Sequence, residues 1–141
     1  MNSTYPAIFY KEDDGGYSVI FPDLNHLATD GDDLNDAMYM AIDCLAGYLY
    51  SLKLEKEEIP TPSDMNSIDI GYFLDDPNYD KSRVFINLIS VNVAEYAEKH
   101  FNKAVKKTVT IPAWMADMAD VKGLKLSKLL QEAIKEKLQL T

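Results

Sequence analysis

A short stretch at residues 106–112, followed by two helical patterns that are separated at Gly123, most constrains what this chain can fold into. Successive side chains of a strand point to opposite faces, so Val109 and Ile111 share one apolar face that must be covered. The other face is polar and carries Lys106, Thr108 and Thr110. The pattern predicts a strand that stops at Pro112, because proline lacks a backbone N–H and suits the first turn of a helix.

Two amphipathic helices are predicted after this strand, one from near Ala113 to the left-handed turn at Gly123 and one from about Leu126 to Gln139. A strand and two helices of roughly 35 residues cannot enclose a core, since domains below about 40 residues usually need a metal, disulfides or a partner chain. The segment has no cysteine and no metal motif, so we expect two copies to dimerise. The residues expected at the dimer contact are Val109, Ile111, Trp114, Leu130 and Ile134.

This order of elements resembles the ribbon-helix-helix family of DNA-binding proteins over residues 106 to about 139. The resemblance implies that the outward strand residues enter the major groove and that the second helix holds a phosphate at its start. A helix N-terminus suits that role because its first N–H groups are unpaired. Lys125, at the capping position, cannot accept from those amides, but its charge can reach a phosphate. The DNA-binding residues expected are Lys106, Thr108, Thr110, Lys125, Leu126 and Ser127. An ordinary edge strand with a solvated polar face is the alternative.

Charge separates the chain into two parts. Residues 104–141 contain seven lysines and four acidic residues, a net charge of +3, whereas the whole chain carries −9. The remainder therefore carries −12, and we expect it not to approach nucleic acid unaided. We predict two domains, residues 1–103 and residues 104–141. The acidity of the first favours a basic partner, and simple solubility is the alternative explanation.

Residues 1–103 predict a compact α+β domain. Asp13-Asp14-Gly15-Gly16 is typical of a hairpin turn in which glycines accept positive φ. Asp33 can accept from the amides of a first helical turn, and the three-four spacing of apolar residues after it predicts a long helix. The predicted strands lie at residues 5–10, 17–21, near 26–29, 68–74 and 84–93, and a second helix is predicted at residues 94–101.

Five short motifs follow one another between residues 5 and 63. They are Tyr5-Pro6-Ala7-Ile8, Asp13-Asp14-Gly15-Gly16-Tyr17, Phe21-Pro22-Asp23-Leu24, Gly31-Asp32-Asp33-Leu34-Asn35-Asp36-Ala37 and Ile59-Pro60-Thr61-Pro62-Ser63. Their order closely resembles the HicB antitoxin family. The resemblance implies a truncated RNase H-like fold that binds and neutralises HicA, a small basic mRNA-interferase toxin. It also implies that a dimer binds operator DNA and represses its own operon.

The toxin-contacting residues that we expect are aspartates in turns, where rigid strand ends would hold them outward. They are Asp13, Asp14, Asp23, Asp30 and Asp32. The alternative is that these aspartates only shape turns and that an apolar patch with Tyr39 and Tyr50 binds the partner. A different function also stays open: a stand-alone ribbon-helix-helix repressor whose acidic domain senses a ligand or only oligomerises.

Neither a catalytic site, a cofactor nor a metal is expected. Clustered carboxylates could hold the metal pair of a nuclease, but these aspartates lie in turns, where aspartate ordinarily forms a turn or a cap. His26 and His100 have no further ligands at metal-binding spacing. The single Cys44 excludes an internal disulfide and is predicted to be a small buried side chain. No apolar run of about 18 residues and no signal-like N-terminus is visible, so we expect a cytoplasmic protein.

Overall fold

The structure is a computed structural model that describes residues 1–101 and 104–139. The chain forms two compact units, Met1–Lys103 and Ala104–Thr141. We call them the N-terminal unit and the C-terminal unit and describe each by itself.

The N-terminal unit contains both strands and helices, whereas the described part of the C-terminal unit contains helices. The first unit comprises β1 (Ser3–Lys11), β2 (Tyr17–Phe21), β3 (Leu27–Gly31), α1 (Leu34–Leu54), α2 (Ile70–Leu74), β4 (Val84–Val91) and α3 (Val93–His100). The second comprises α4 (Ala113–Val121) and α5 (Leu126–Lys137). The predicted α+β class is confirmed. The first three predicted strands, the strand predicted at residues 84–93 and the two helices predicted in the N-terminal unit are also present.

All four strands form one antiparallel sheet in the order β3-β2-β1-β4. The hairpin turn between β1 and β2 places Gly15 at a φ of +90°, and its N–H donates to the carbonyl of Glu12 at 3.1 Å. Gly16 does not adopt positive φ, contrary to the prediction for both glycines. The next turn places Asn25 and His26 at φ values of +56° and +59°, as in a type I′ turn, which matches the twist of an antiparallel hairpin.

Helix α1 packs across one face of the sheet, which we call the helix face. Its buried side chains recur every three or four residues, as the apolar stripe predicted. They are Ala37, Ala41, Leu45, Ala46 and Leu49. The strands contribute fully or almost fully buried side chains to the same core, including Tyr5, Ala7, Phe9, Val19, Phe21 and Ile89. Burial of this apolar area supplies the main driving force for folding of the unit.

Polar contacts cap the start of α1 and join the middle of this helix to α3. The Asp33 carboxylate accepts from the N–H of Asp36 at 2.8 Å, which confirms Asp33 as the helix cap. The hydroxyl of Tyr96 on α3 donates to the Asp43 carboxylate at 2.7 Å. Burial, and then this carboxylate, raise the pKa of Tyr96 well above its usual value.

Cys44 is half-buried rather than fully buried as predicted, because it lies at the margin of the apolar stripe by which α1 packs on the sheet.

The segment between α1 and β4 covers the opposite face of the sheet. Side chains of this segment, Phe73, Leu74 and Tyr79, line a cavity of about 290 Å³ with Tyr10 and Ile20 of the strands. The sheet is therefore sandwiched between α1 on one face and an irregular segment on the other, which explains how both of its faces can be apolar.

The strand predicted at residues 68–74 is wrong, because this stretch forms helix α2. The Asp69 side chain accepts from the N–H of Tyr72 at 3.2 Å and starts the helix, and Asp75 ends it at a φ of +54°. Aspartate competes well for nearby backbone N–H groups, so closely spaced aspartates favour short turns over an extended strand. The alternation of apolar residues misled the prediction because a helix of five residues is too short to show its own period.

The junction between β3 and α1 depends on Gly31. A Cβ atom added there would lie 2.2 Å from the backbone nitrogen of Ala37 and 2.5 Å from its Cα. Backbone atoms of a capped helix cannot move aside as a flexible side chain can. Glycine is thus required for α1 to approach β3 this closely.

We expect Gly31→Ala to destabilise the unit by about 3 kcal/mol or more, because α1 must shift away from the sheet. Gly47→Ala is the matched control inside α1, where the new Cβ would meet the Cζ atom of Phe101 at an ordinary 3.8 Å. That control should stabilise the protein by about 0.5–1 kcal/mol, since alanine is the better helix former. Urea unfolding followed by far-UV circular dichroism measures both. Equal midpoints for the two variants would contradict the assigned packing.

Candidate partner and nucleic-acid interfaces

The five aspartates predicted to face a partner separate into two groups. Asp13 forms an ion pair with Arg83 at 2.5 Å, and Arg83 also lies 3.5 Å from Asp80. The hydrogen bond that Arg83 donates to Asp13 is the main cause that raises the pKa of Arg83. The pair links the β1–β2 hairpin to the start of β4, but it is solvent-exposed and adds little stability. Asp13 is therefore already engaged within the chain.

Asp23 is also engaged within the chain. Its carboxylate accepts from the N–H of Ser63 at 2.9 Å and from the hydroxyl of the same residue. Nearby, the buried Tyr5 donates its hydroxyl to the carbonyl of Pro60 at 2.5 Å. Burial, and then the charge of Asp23, raise the pKa of Tyr5. These contacts hold residues 60–63 beside Tyr5 and Asp23. The contact between Asp23 and Ser63 joins residues 40 positions apart, so no local sequence pattern could have predicted it.

The remaining three aspartates come together. Asp14, Asp30 and Asp32 line a shallow cavity of about 270 Å³ between the β1–β2 turn and the end of β3. Glu12 lines it too, and its carboxylate accepts from the hydroxyl of Ser18 at 2.7 Å. We call the site formed by Glu12, Asp14, Asp30 and Asp32 the acidic depression. The sequence prediction missed Glu12, which becomes part of the site because the hairpin folds it back beside β2.

The acidic depression is rigidly supported. The Asp14 side chain accepts from the N–H of Gly16 at 2.8 Å and so shapes the turn it lies in. The N–H of Asp32 donates to the Asp36 carboxylate at 2.8 Å. Among the described residues, no three His, Cys, Asp or Glu side chains are grouped so that they could hold a metal ion. Four carboxylates held around one concavity create a negative potential that attracts basic side chains.

The segment that precedes the helices of the C-terminal unit is not a strand in this single chain. The described residues 104–112 form no hydrogen-bonded ladder in this single chain, contrary to the predicted strand. A lone strand has no ladder partner for its N–H and C=O groups, which then bond to solvent unless a second strand pairs with them. Val109 and Ile111 keep 62% and 36% of their surface exposed.

The helices of this unit are well defined but leave their apolar sides open. Gly123 adopts a φ of +66° between α4 and α5, as predicted, and its N–H donates to the carbonyl of Asp120 at 3.1 Å. Ala119 is buried, whereas α5 has no buried residue. Large apolar side chains are exposed on both helices and at the C-cap of α5, namely Trp114, Met115, Met118, Val121, Leu126, Leu129, Leu130, Ile134 and Leu138. So large an apolar surface on so small a unit is typical of an interface.

The predicted DNA-binding residues lie exposed in the C-terminal unit. Lys106, Thr108 and Thr110 lie in the segment before α4, and Lys125 is the N-cap of α5, with φ of −89° and ψ of 99° in the extended region. No side chain caps the start of this helix. Its first backbone hydrogen bond is donated by the N–H of Leu129 to the carbonyl of Lys125. Leu126 and Ser127 thus lie in the first turn, where backbone N–H groups have no intrahelical acceptor.

The chain matches the family described as HicB-like antitoxin of bacterial toxin-antitoxin systems over residues 5–133. This match spans most of both units. The chain therefore belongs to the HicB-like antitoxin family, and the resemblance inferred from its motifs is confirmed.

Relatives and a solved structure agree with this assignment. The chain is 35% identical to Antitoxin HicB 1 of Photorhabdus laumondii over 71 residues, which are 49% of this chain and 46% of that protein. It is 39% identical to Antitoxin HicB 2 of the same organism over 62 residues, 44% of each chain. These matches thus span less than half of either relative. A chain of a solved structure described as a toxin-antitoxin complex from Streptococcus pneumoniae is 34% identical in sequence to this chain, with a TM-score of 0.60. The alignment covers 97% of this chain and 99% of that chain.

In the part of the chain that the structure describes, no helix is both long and apolar enough to cross a membrane.

Proposed function

We propose that this chain is an antitoxin that binds and neutralises a small basic HicA-type ribonuclease through its N-terminal unit. The observation that carries the proposal is the family match, which runs from residue 5 to residue 133 and so includes the acidic depression. A toxin that acts on RNA needs basic side chains to hold phosphates. Complementary charge accelerates encounter with such a toxin and opposes wrong partners.

We also propose that the N-terminal unit has a truncated RNase H-like fold in which the enzyme's catalytic role is absent. The support is a four-stranded antiparallel sheet with one long helix on its face. The acidic residues of this unit cap turns, hold loops or surround the acidic depression, where they attract a basic partner. On this proposal the protein acts by covering the toxin and not by chemistry of its own.

The C-terminal unit is proposed to be a ribbon-helix-helix dimer that binds operator DNA and represses the operon. If the segments around Val109 and Ile111 of two copies paired as strands, their backbone N–H and C=O groups would bond to each other. The pairing would also cover the apolar face that these two side chains form. The same pairing would place Lys106, Thr108 and Thr110 together on the outward face of a two-stranded ribbon, a shape that fits the major groove. DNA reading would then depend on dimerisation.

Neutralisation should depend on the charge of the acidic depression. We expect the double variant Asp30→Lys, Asp32→Lys to bind the toxin at least tenfold more weakly, chiefly through slower association that becomes less sensitive to salt. Glu98→Lys on α3 is the control, because Glu98 is exposed and lies outside the depression. Stopped-flow association with purified toxin at several salt concentrations measures the effect.

Growth of cells that express a HicA-type toxin encoded beside the gene for this chain tests the function itself. Co-expression of the full chain, and of a chain that ends at residue 103, should restore growth. Continued growth arrest with soluble full-length chain would refute the antitoxin proposal. If growth is restored and the charge variants bind as well as wild type, the toxin contacts another surface.

Dimerisation of the C-terminal unit has its own probe, because Trp114 is the only tryptophan in the sequence. Its side chain is 62% exposed in the single chain and should become buried when two ribbons pair. We expect Ile111→Asp to prevent pairing, since it would place two carboxylates near the two-fold axis at a cost of several kcal/mol each. Its tryptophan emission should be red-shifted and its helical dichroism reduced. Val105→Asp, at a position before the ribbon that is 63% exposed, should match wild type.

Base and phosphate recognition should be separable by salt dependence. Three alanine variants should each weaken specific operator binding by about 1–3 kcal/mol for every base contact that is lost. They are Lys106→Ala, Thr108→Ala and Thr110→Ala. Lys125→Ala should instead weaken binding to all sequences and reduce the salt slope by about one unit for each phosphate that is no longer neutralised. Gel-shift titrations against operator and random duplexes give both quantities. Unchanged operator affinity for the two threonine variants would remove them from the reading face.

A further inference from the structure

The outer edge of β4 is unlike the other edge of the sheet. The strand runs from Val84 to Val91, lies at one end of the strand order and pairs with β1 on its inner side. Its eight residues, Val-Phe-Ile-Asn-Leu-Ile-Ser-Val, include neither a charged residue nor a proline. Natural sheets usually protect a long edge with charge, proline or a bulge. Strand β3 at the opposite edge is shorter and carries Asp30.

The register shows which backbone groups of β4 point away from the sheet. Leu88 lies opposite Pro6, which has no N–H to donate. The N–H of Leu88 instead donates to the side-chain oxygen of Asn87 at 3.0 Å. Bonded and non-bonded pairs alternate along an antiparallel ladder, so Leu88 belongs to the set that faces outward. Val84, Ile86, Leu88 and Ser90 therefore direct their N–H and C=O groups to the open edge.

Two large side chains of β4 are exposed, one on each face of the sheet. Phe85 stacks on Phe9 on the helix face, with ring centroids 4.9 Å apart, but remains 38% exposed. Leu88 is on the opposite face and is 48% exposed. An edge with open backbone groups and apolar side chains on both faces is suited to the addition of another strand.

We propose that β4 pairs antiparallel with β4 of a second copy of this chain, about a two-fold axis at Leu88. The two four-stranded sheets then form one continuous sheet. In this register Leu88 lies beside Leu88 of the second copy, and Ile86 lies opposite Ser90. On the helix face Phe85 lies opposite Val91. A single register thus covers both exposed apolar side chains and bonds the outward groups of Ile86, Leu88 and Ser90.

A second copy fits this edge better than a basic partner does. β4 offers no carboxylate to a cationic strand, although it belongs to a part of the chain with a net charge of −12. The acidic depression that attracts cations lies at the end of β3, at the other edge of the sheet. Charge therefore directs the two kinds of partner to opposite edges. The inference stands apart from both the antitoxin and the DNA-binding proposals.

Disulfide trapping in the full chain tests the pairing directly. In a Cys44→Ser background, Leu88→Cys places one thiol per chain at the proposed two-fold axis. Mild oxidation at micromolar concentration should give mostly cross-linked dimer. Ala28→Cys, an exposed position on the opposite edge strand, is the matched control and should stay mostly monomeric on a denaturing gel. Equal cross-linking of the two variants, or none at Leu88→Cys, would overturn the proposal.

Light scattering provides the second measurement. In the Ile111→Asp background, where ribbon pairing is removed, the chain should remain a dimer through β4. Adding Leu88→Lys should weaken that dimer at least tenfold and give monomer, because two cations would face each other across the axis. Adding Ala28→Lys should leave it a dimer. The proposal is wrong if Leu88→Lys leaves the mass unchanged, or if it lowers toxin affinity instead, which would assign the edge to the toxin.

Discussion

The packing of α1 against the sheet is the contact on which the rest of the N-terminal unit depends. The helix can lie close to β3 because Gly31 has no side chain, and the capped first turn after Asp33 follows at once. This junction also sets the positions of Asp30 and Asp32 on either side of the glycine. A steric requirement of the core therefore determines where two carboxylates of the acidic depression lie, so that fold and candidate site share one cause.

Acidic residues serve two different physical ends in this unit. Asp13 and Asp23 join distant segments, and others, such as Asp69, start turns by accepting backbone N–H groups. Of these carboxylates, Asp23 holds the segment between α1 and β4 in place through Ser63. On the proposed function, the carboxylates around the acidic depression also attract the basic partner. The high negative charge is thus partly structural and partly available for recognition.

The remaining candidate surfaces share an exposed apolar character. The C-terminal unit exposes the apolar sides of both of its helices, and β4 exposes backbone groups along an uncharged edge. A small unit gains stability when a partner covers such apolar area, so on the proposed ribbon-helix-helix dimer folding and association become one event there. On the proposed function, the association that completes this unit also creates the ribbon that reads DNA. Dimerisation and operator binding would then rise and fall together.

Local chemistry was enough to predict much of this protein. Alternation and turn residues predicted the first strands, Asp33 predicted the start of α1, and Gly123 predicted the turn between α4 and α5, because each depends on neighbours in sequence. Helix α2 was missed because aspartate caps outweighed an alternating pattern. The contact between Asp23 and Ser63, the inclusion of Glu12 in the acidic depression and the open edge of β4 were decided only by tertiary structure. Each of these features depends on how segments that are distant in sequence pack together, which local sequence patterns do not specify.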